Sequence, residues 1–295
     1  MHYFVLVATI AARRSAKHVR TYSFCCDSLC DLNAGEKFMA MIDSASARQL
    51  PLAVDHIPIQ VLFEDECILV CNKPARLRFQ PRHRFEGGSL VNRVAGHLGY
   101  PALVVHRLDM NTSGCCVFAK THDAAVALAA AFREQNVKKS YEALVAGITE
   151  PSFTVEARLD RDLTHKFRRE VVSEGGQNGI THFNCKESFP DVRFPGVSTL
   201  RSEPYDVQGC SLVECIPKTG RTHQIRVHLT HIGHPIIGDD IYGILAGETC
   251  PITVMTRQAL HASVLSFDHP RTREPLTFTA PWQDDMLAQL EQFRS

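Results

Sequence analysis

One carboxylate stands out in the run Val105-His106-Arg107-Leu108-Asp109-Met110-Asn111-Thr112-Ser113-Gly114, where Asp109 ends an apolar stretch and precedes a polar loop closed by glycine. An aspartate on a rigid connection suits chemistry that needs a nucleophile or a proton acceptor. Leu103, Val104 and Val105 read as a short buried strand, and Cys115-Cys116-Val117-Phe118-Ala119 as the next. Asp109 therefore lies on a connection that a scaffold can present. Taken singly, an aspartate beside Thr and Ser is also an ordinary turn-capping residue, so its companions decide its meaning.

The elements around it follow from pattern. Val61-Leu62-Phe63, the acidic turn Glu64-Asp65-Glu66 and Cys67-Ile68-Leu69-Val70-Cys71 predict a hairpin that opens the main domain. Ser89 caps a helix to Leu98, with Leu90, Val94 and Leu98 on one face. Thr121 or Asp123 caps an Ala-rich helix to about Gln135. Alternation through Lys138–Gly147 predicts a strand that places Tyr141, Ala143 and Val145 on one face. Residues 160–210 read as strands joined by long loops, least patterned from Pro190 to Gln208.

Ser211–Ile216 is a strand, and Lys218-Thr219-Gly220 a turn launching a helix from about Arg221, in which Arg221, Ile225, Leu229 and Ile232 fall on one stripe. An arginine on that stripe needs a carboxylate partner, because an unpaired buried guanidinium costs several kcal/mol. Strands at Leu260–Phe267 and Leu276–Phe278 and a helix at Gln283–Phe293 close the chain. Strands and helices intermix without a regular βαβ repeat, which favours an α+β class.

With 295 residues and 44% apolar content, the chain can bury one large core or two smaller ones. The 32 basic and 32 acidic residues balance, so a nucleic-acid partner must be held by a local basic surface. Eleven cysteines without framework spacing point to a reducing compartment. No apolar run approaches the roughly 18 residues of a membrane span, so no membrane partner is expected. Residues 1–26 lack acids but carry Arg13, Arg14, Lys17 and Arg20, the composition of a mitochondrial address. A mitochondrial location is the expectation and a cytoplasmic one the alternative. Residues 1–55 read as an N-terminal extension, and 56–295 as the catalytic domain with a variable insert near 185–210.

Four ordered segments together resemble the RluA-type family of RNA pseudouridine synthases. They are His106-Arg107-Leu108-Asp109 with Thr112-Ser113-Gly114; Lys139 through Gly147 with Tyr141; Lys218-Thr219-Gly220-Arg221-Thr222-His223-Gln224-Ile225-Arg226-Val227-His228; and Gly233 through Asp239 with Tyr242-Gly243. The likeness extends through the Glu64–Pro74 hairpin and Leu260-His261-Ala262, covering about residues 60–282.

The resemblance implies a central, mostly antiparallel mixed sheet flanked by helices and loops. It implies Asp109 as the catalytic aspartate, Tyr141 as the aromatic that stacks on uracil, and Arg221 as the arginine that pairs with the aspartate. Asp109 would attack the nucleoside or remove a sugar proton while the base is detached at N1 and rejoined at C5. No cofactor is implied. Arg107, with Met110 and Asn111, would occupy the space left by the flipped base.

The expected partner is RNA, ribosomal RNA first and transfer RNA as the alternative, with contacts from Arg76, Arg78, Arg82 and Arg84, and from Lys139, Lys166 and Arg168. A synthase-derived ribosome assembly factor, bound to an assembly intermediate with idle or secondary chemistry, is the competing function. His228, His231 and His234 near Asp239 could suggest metal ligands, but Gly233 and Pro235 break the helix there, and no metal is expected. The chain departs from the family at Arg76-Leu77-Arg78-Phe79-Gln80 after Lys73-Pro74, and residues 1–55 show no small RNA-binding module of the S4 type.

Overall fold

The computed structural model describes residues 52–197, 205–243 and 255–295. Most of the N-terminal extension lies outside these residues, with the mitochondrial address read in it, and so do residues 198–204 of the insert. One compact unit comprises Leu52–Arg82 and Glu86–Ser295; His83–Phe85 belong to a second, whose other residues are outside those described. Among the described residues there are eleven strands and four helices.

β1 (Gln60–Glu64) and β2 (Ile68–Lys73) form the expected hairpin. Its turn is fixed by Asp65, whose Oδ1 accepts the backbone N–H groups of Cys67 and Ile68 at 2.7 and 2.8 Å. α1 (Leu90–Leu98) starts at Ser89, where Ser89 and Asn92 cap each other reciprocally. Leu52–Asp55 pack onto this helix, since Asn92 donates to the Ala53 carbonyl at 2.6 Å and Arg93 pairs with Asp55 at 3.5 Å. β3 (Leu103–Val104) leads through Asp109 to β4 (Ser113–Ala119), and α2 (His122–Arg133) follows with Thr121 as its cap.

β5 (Lys138–Ala146), β6 (Ser152–Arg161), β7 (Arg169–Val172), β8 (Gln177–Val197) and β9 (Tyr205–Pro217) come next. α3 (Gln224–His231), β10 (Leu260–Asp268), β11 (Pro275–Thr279) and α4 (Asp284–Arg294) complete the chain. All eleven strands share one sheet in the order β1-β2-β4-β10-β5-β9-β8-β6-β7, with β3 on β4 and β11 on β10. Only the β4–β10 pairing is parallel, so the α+β class and the mostly antiparallel sheet hold.

Two sequence expectations are corrected. The stretch from Pro190 is not a loop region, because β8 runs unbroken to Val197 and pairs with β9. Three register shifts, at Cys185/Glu187, Phe189/Arg193 and Phe194/Val197, break the alternation by which a strand is recognised. The helix expected from Arg221 begins at Gln224 instead. Ile225 and Leu229 are buried as expected, but Arg221 sits in the preceding turn and off the stripe.

β4 is buried at every position, packed between β2 and β10, and so supplies a rigid base for the loop in front of it. Gly114 makes that packing attainable. Its φ is +115°, and a Cβ there would lie 2.3 Å from the Ala262 carbonyl oxygen on β10. Every cysteine among the described residues is free. No helix among them is long and apolar enough to cross a membrane.

Candidate active site

The connection between β3 and β4 is held residue by residue. Lys73 Nζ donates to the Met110 carbonyl at 2.9 Å and to that of Pro74 at 2.7 Å. Arg257 donates to the Asn111 carbonyl at 3.3 Å, Gln258 to Thr112 Oγ1 at 3.1 Å, and Ser113 Oγ lies 2.9 Å from His261 Nδ1. His261 gives its Nε2 hydrogen to the Ala280 carbonyl at 3.1 Å, which leaves Nδ1 to accept from Ser113. Arg257 is itself fixed by a two-pronged pair with Asp285, both bonds 2.7 Å long. Four successive residues behind Asp109 thus have their positions dictated by other elements, which is the preorganisation a reacting carboxylate needs.

Lys73 is fully buried, and burial brings its pKa down to about 8. Lys73 fell within the family likeness with no role attached, and Arg257 and Gln258 carried no signal in the sequence, because what these residues bind is mainly a distant loop.

Asp109 projects into a cleft of about 600 Å³. Its carboxylate partner is Arg226, not Arg221. Arg226 Nη1 donates to Asp109 Oδ2 at 3.3 Å, while its Nε and Nη2 make a two-pronged pair with Asp239 at 2.6 and 2.8 Å. Arg226 is 3% exposed, Asp239 0% and Asp109 22%, so the guanidinium joins an interior carboxylate to one facing the cleft. Burial opposes the charge on Arg226, but the Asp239 hydrogen bonds and both carboxylates outweigh it and raise its pKa. Asp239 is further held by the backbone N–H groups of Ile241 and Tyr242, and the guanidinium lies 5.0 Å from the centre of the Tyr242 ring.

Arg221 lines the same cleft, but its Nε donates to the Asn178 carbonyl at 3.1 Å and its side chain is exposed. The expectation failed on helix phase. Gln224 Oε1 accepts from Thr219 Oγ1 and from the Arg221 backbone, and Gln224 Nε2 donates to the Ile180 carbonyl and to Thr181. These bonds tie the turn to β8 and delay the helix by about one turn, which presents Arg226 to Asp109. The signal for Arg226 was its place between Ile225 and Val227, with an acid available at Asp239.

A second polar group faces Asp109. His223 holds a left-handed backbone at φ 59° and places Nε2 3.8 Å from Asp109 Oδ2. Tyr242 Oη accepts the Arg169 backbone N–H at 2.7 Å and lies 2.8 Å from His223 Nδ1. Tyr242 Oη thus joins the Arg169 backbone to the imidazole and fixes the ring with Nε2 towards the Asp109 carboxylate. Burial lowers the pKa of His223, against the pull of Asp109. A non-glycine residue in this backbone region stores strain of a kind that collects at functional sites.

Tyr141 stands on β5 in register with Cys215 and lines the cleft. Burial, and then Asp109, raise its phenol pKa, so it presents a neutral ring. Arg107 and Lys139 also line the cleft. Arg76, Arg78 and Arg82 lie apart in the loop before α1, where Arg78 and Arg82 both pair with Glu86 and Arg76 bonds to Thr256. Arg84 falls in the second unit. Lys166 and Arg168 sit in the β6–β7 loop, exposed beside Phe167 and half-buried respectively.

His228, His231 and His234 do not converge. His228 lies 3.0 Å from Thr181 Oγ1 and His234 3.0 Å from the Ala146 carbonyl. Asp65, Cys67 and His269 do offer ligand atoms within 4.8 Å of one another. However, His269 Nδ1 accepts the Thr272 backbone N–H at 3.0 Å, so Nε2 carries the hydrogen and donates it to Asp65 at 2.8 Å. That protonation suits a structural clasp and leaves no lone pair on Nε2 for a metal.

The family profile described as RNA pseudouridylate synthase matches residues 67–231, which include Asp109, Tyr141 and Arg226. A ribosomal large subunit pseudouridine synthase D of Nitrosomonas europaea is 36% identical over 249 residues, covering 81% of this chain and 66% of that protein. The chain thus spans just under two thirds of that relative's length. An uncharacterized RNA pseudouridine synthase of Bacillus subtilis is 36% identical over 255 residues, covering 84% of this chain and 76% of its own. The structure of human RNA pseudouridylate synthase domain containing 1 shares the fold, with a TM-score of 0.57, 24% identity, and coverage of 82% of this chain and 96% of that one.

Proposed function

Because this chain belongs to the RNA pseudouridylate synthase family, we propose that it converts uridine to pseudouridine in ribosomal RNA, with Asp109 as the catalytic residue. The observation that carries this reading is the Asp109–Arg226–Asp239 array. Among the described residues the cleft is lined by one acid, and its carboxylate is oriented by a guanidinium that the protein interior already holds. Names of relatives in Nitrosomonas europaea and Xylella fastidiosa, both ribosomal large subunit pseudouridine synthases, favour that RNA over transfer RNA.

In this reading a uridine leaves its stack and enters the cleft. The Asp109 carboxylate then attacks the ribose carbon and displaces the uracil, or takes a ribose proton as the bond to N1 breaks. The freed uracil turns to present C5. The bond from C5 to the same ribose carbon forms as Asp109 leaves that carbon or returns its proton, and the C5 proton is lost while N1 takes one up. Tyr141 lies against the base and keeps it in place. Arg226 holds Asp109 Oδ2, with His223 Nε2 on the same side, which leaves Oδ1 to face the sugar. Arg107, exposed at the cleft, takes the position vacated in the RNA. Residues 1–26 direct the chain to mitochondria in the same reading, which a fluorescent fusion of those residues tests.

The decisive experiment incubates the protein with unmodified large-subunit ribosomal RNA and measures pseudouridine by mass spectrometry. The wild type forms it, and Asp109→Asn forms none while keeping its fold and RNA affinity. Full activity in Asp109→Asn overturns the catalytic assignment. Tight binding without isomerisation by the wild type favours the assembly-factor reading.

A further inference from the structure

We propose that Lys139 and Gly220 form an anion subsite that seats a backbone phosphate of the RNA strand entering the Asp109 cleft. The inference rests on the reading of the chain as an enzyme acting on RNA, and adds to it where one phosphate is held.

Lys139 lies two residues before Tyr141 on β5, so both side chains emerge on one face of the sheet, and both line the cleft. The lysine is half-buried, and burial lowers its pKa. It pairs with no carboxylate among the described residues. Asp109, the one acid lining the cleft among the described residues, is bonded to Arg226. A cation drawn partly out of water without a counter-ion is a net cost to the fold. A negatively charged group supplied from outside would offset it.

Gly220 shows where that group fits. A Cβ built on it would meet nothing closer than Lys139 Nζ, at 3.8 Å. Its backbone is outside the left-handed region, so the conformation does not require glycine. The missing side chain instead leaves a notch open in front of the ammonium. Lys218 and Arg221 flank the notch in sequence and line the same cleft. An open notch facing a compact point charge with three donors, rimmed by further cations, matches a phosphate group.

The test measures the Kd of the full chain for unmodified large-subunit ribosomal RNA across a salt series. Losing one phosphate contact flattens the slope of log Kd against log salt by about 0.7 to 0.9. Lys139→Met is expected to show that change, and Lys139→Arg to restore the slope. Gly220→Ala fills the notch without straining the backbone, and is expected to raise Kd several-fold with an unaltered melting temperature. An unchanged slope in Lys139→Met overturns the proposal, and a fall in kcat with the slope retained does the same by placing the lysine on the uracil. If Lys139→Met flattens the slope but the wild type forms no pseudouridine, the subsite stands and the isomerase reading fails.

Discussion

Asp109 and Arg226 are 117 residues apart in the chain and 3.3 Å apart in space, and the same guanidinium grips the interior Asp239 with its other two donors. The Asp109 loop is therefore bonded to a charge whose position the core has already fixed. Removing that charge leaves Asp239 buried and unpaired. Arg226→Met is expected to lose about 3 to 5 kcal/mol of stability and all measurable pseudouridine formation, as read by urea unfolding and by nucleoside analysis. Arg221→Ala, at the exposed rim, is expected to raise KM by about tenfold at most and leave stability within about 0.5 kcal/mol.

His223 separates strain from function. A left-handed backbone costs a side-chain-bearing residue about 1 to 2 kcal/mol, and His223 adopts φ 59°. Both His223→Ala and His223→Gly remove the imidazole that stands 3.8 Å from the Asp109 carboxylate and are expected to lower kcat by about tenfold. His223→Gly is expected to be more stable than His223→Ala by about 1 kcal/mol. Equal melting temperatures for the two variants would show that the backbone there carries no strain.

Gly114 controls how closely β4 and β10 approach. Gly114→Ala places a methyl group 2.3 Å from the Ala262 carbonyl oxygen in a backbone that disfavours side chains. A loss of about 3 kcal/mol or more is expected, the upper end for inserting a methyl into a packed core, together with lost activity because Ser113 and Thr112 shift with the strand. Thermal unfolding and activity at a permissive temperature check this.

Stability depends on pH in a direction set by groups buried in their neutral form. Burial drives the pKa of His106 down to about 3 and that of His228 to about 4. The unfolded chain, with histidines near 6.5, binds these protons first. The two histidines therefore contribute their full stability above pH 6.5, and lose it as pH falls from there toward 4 and then 3, each by about 1.4 kcal/mol per pH unit. Lys73 acts at the other end. Its folded pKa of about 8 lies below the usual 10.5, so its cost to the fold is relieved as pH rises from 8 to 10.5. Urea unfolding at pH 5, 7 and 9.5 measures both limbs. His228→Asn should flatten the acid limb alone and Lys73→Met the alkaline limb alone.

The sequence alone determined the hairpin at 60–73, the capped helices at Ser89 and Thr121, the strand carrying Tyr141 and the position of Asp109, because each rests on local periodicity, a cap or a turn. It did not determine which arginine meets the aspartate. That choice turns on where α3 begins, and Gln224 sets the start through bonds to Ile180 and Thr181 on a strand more than forty residues earlier. Nor did it reveal what Lys73, Arg257 and Gln258 hold behind the Asp109 loop, or the unbroken length of β8. These three bind distant loop atoms that impose no spacing on the sequence, and register shifts in β8 erase its alternation. Local chemistry wrote the carboxylate into the chain, and only long-range packing selected the cation that orients it.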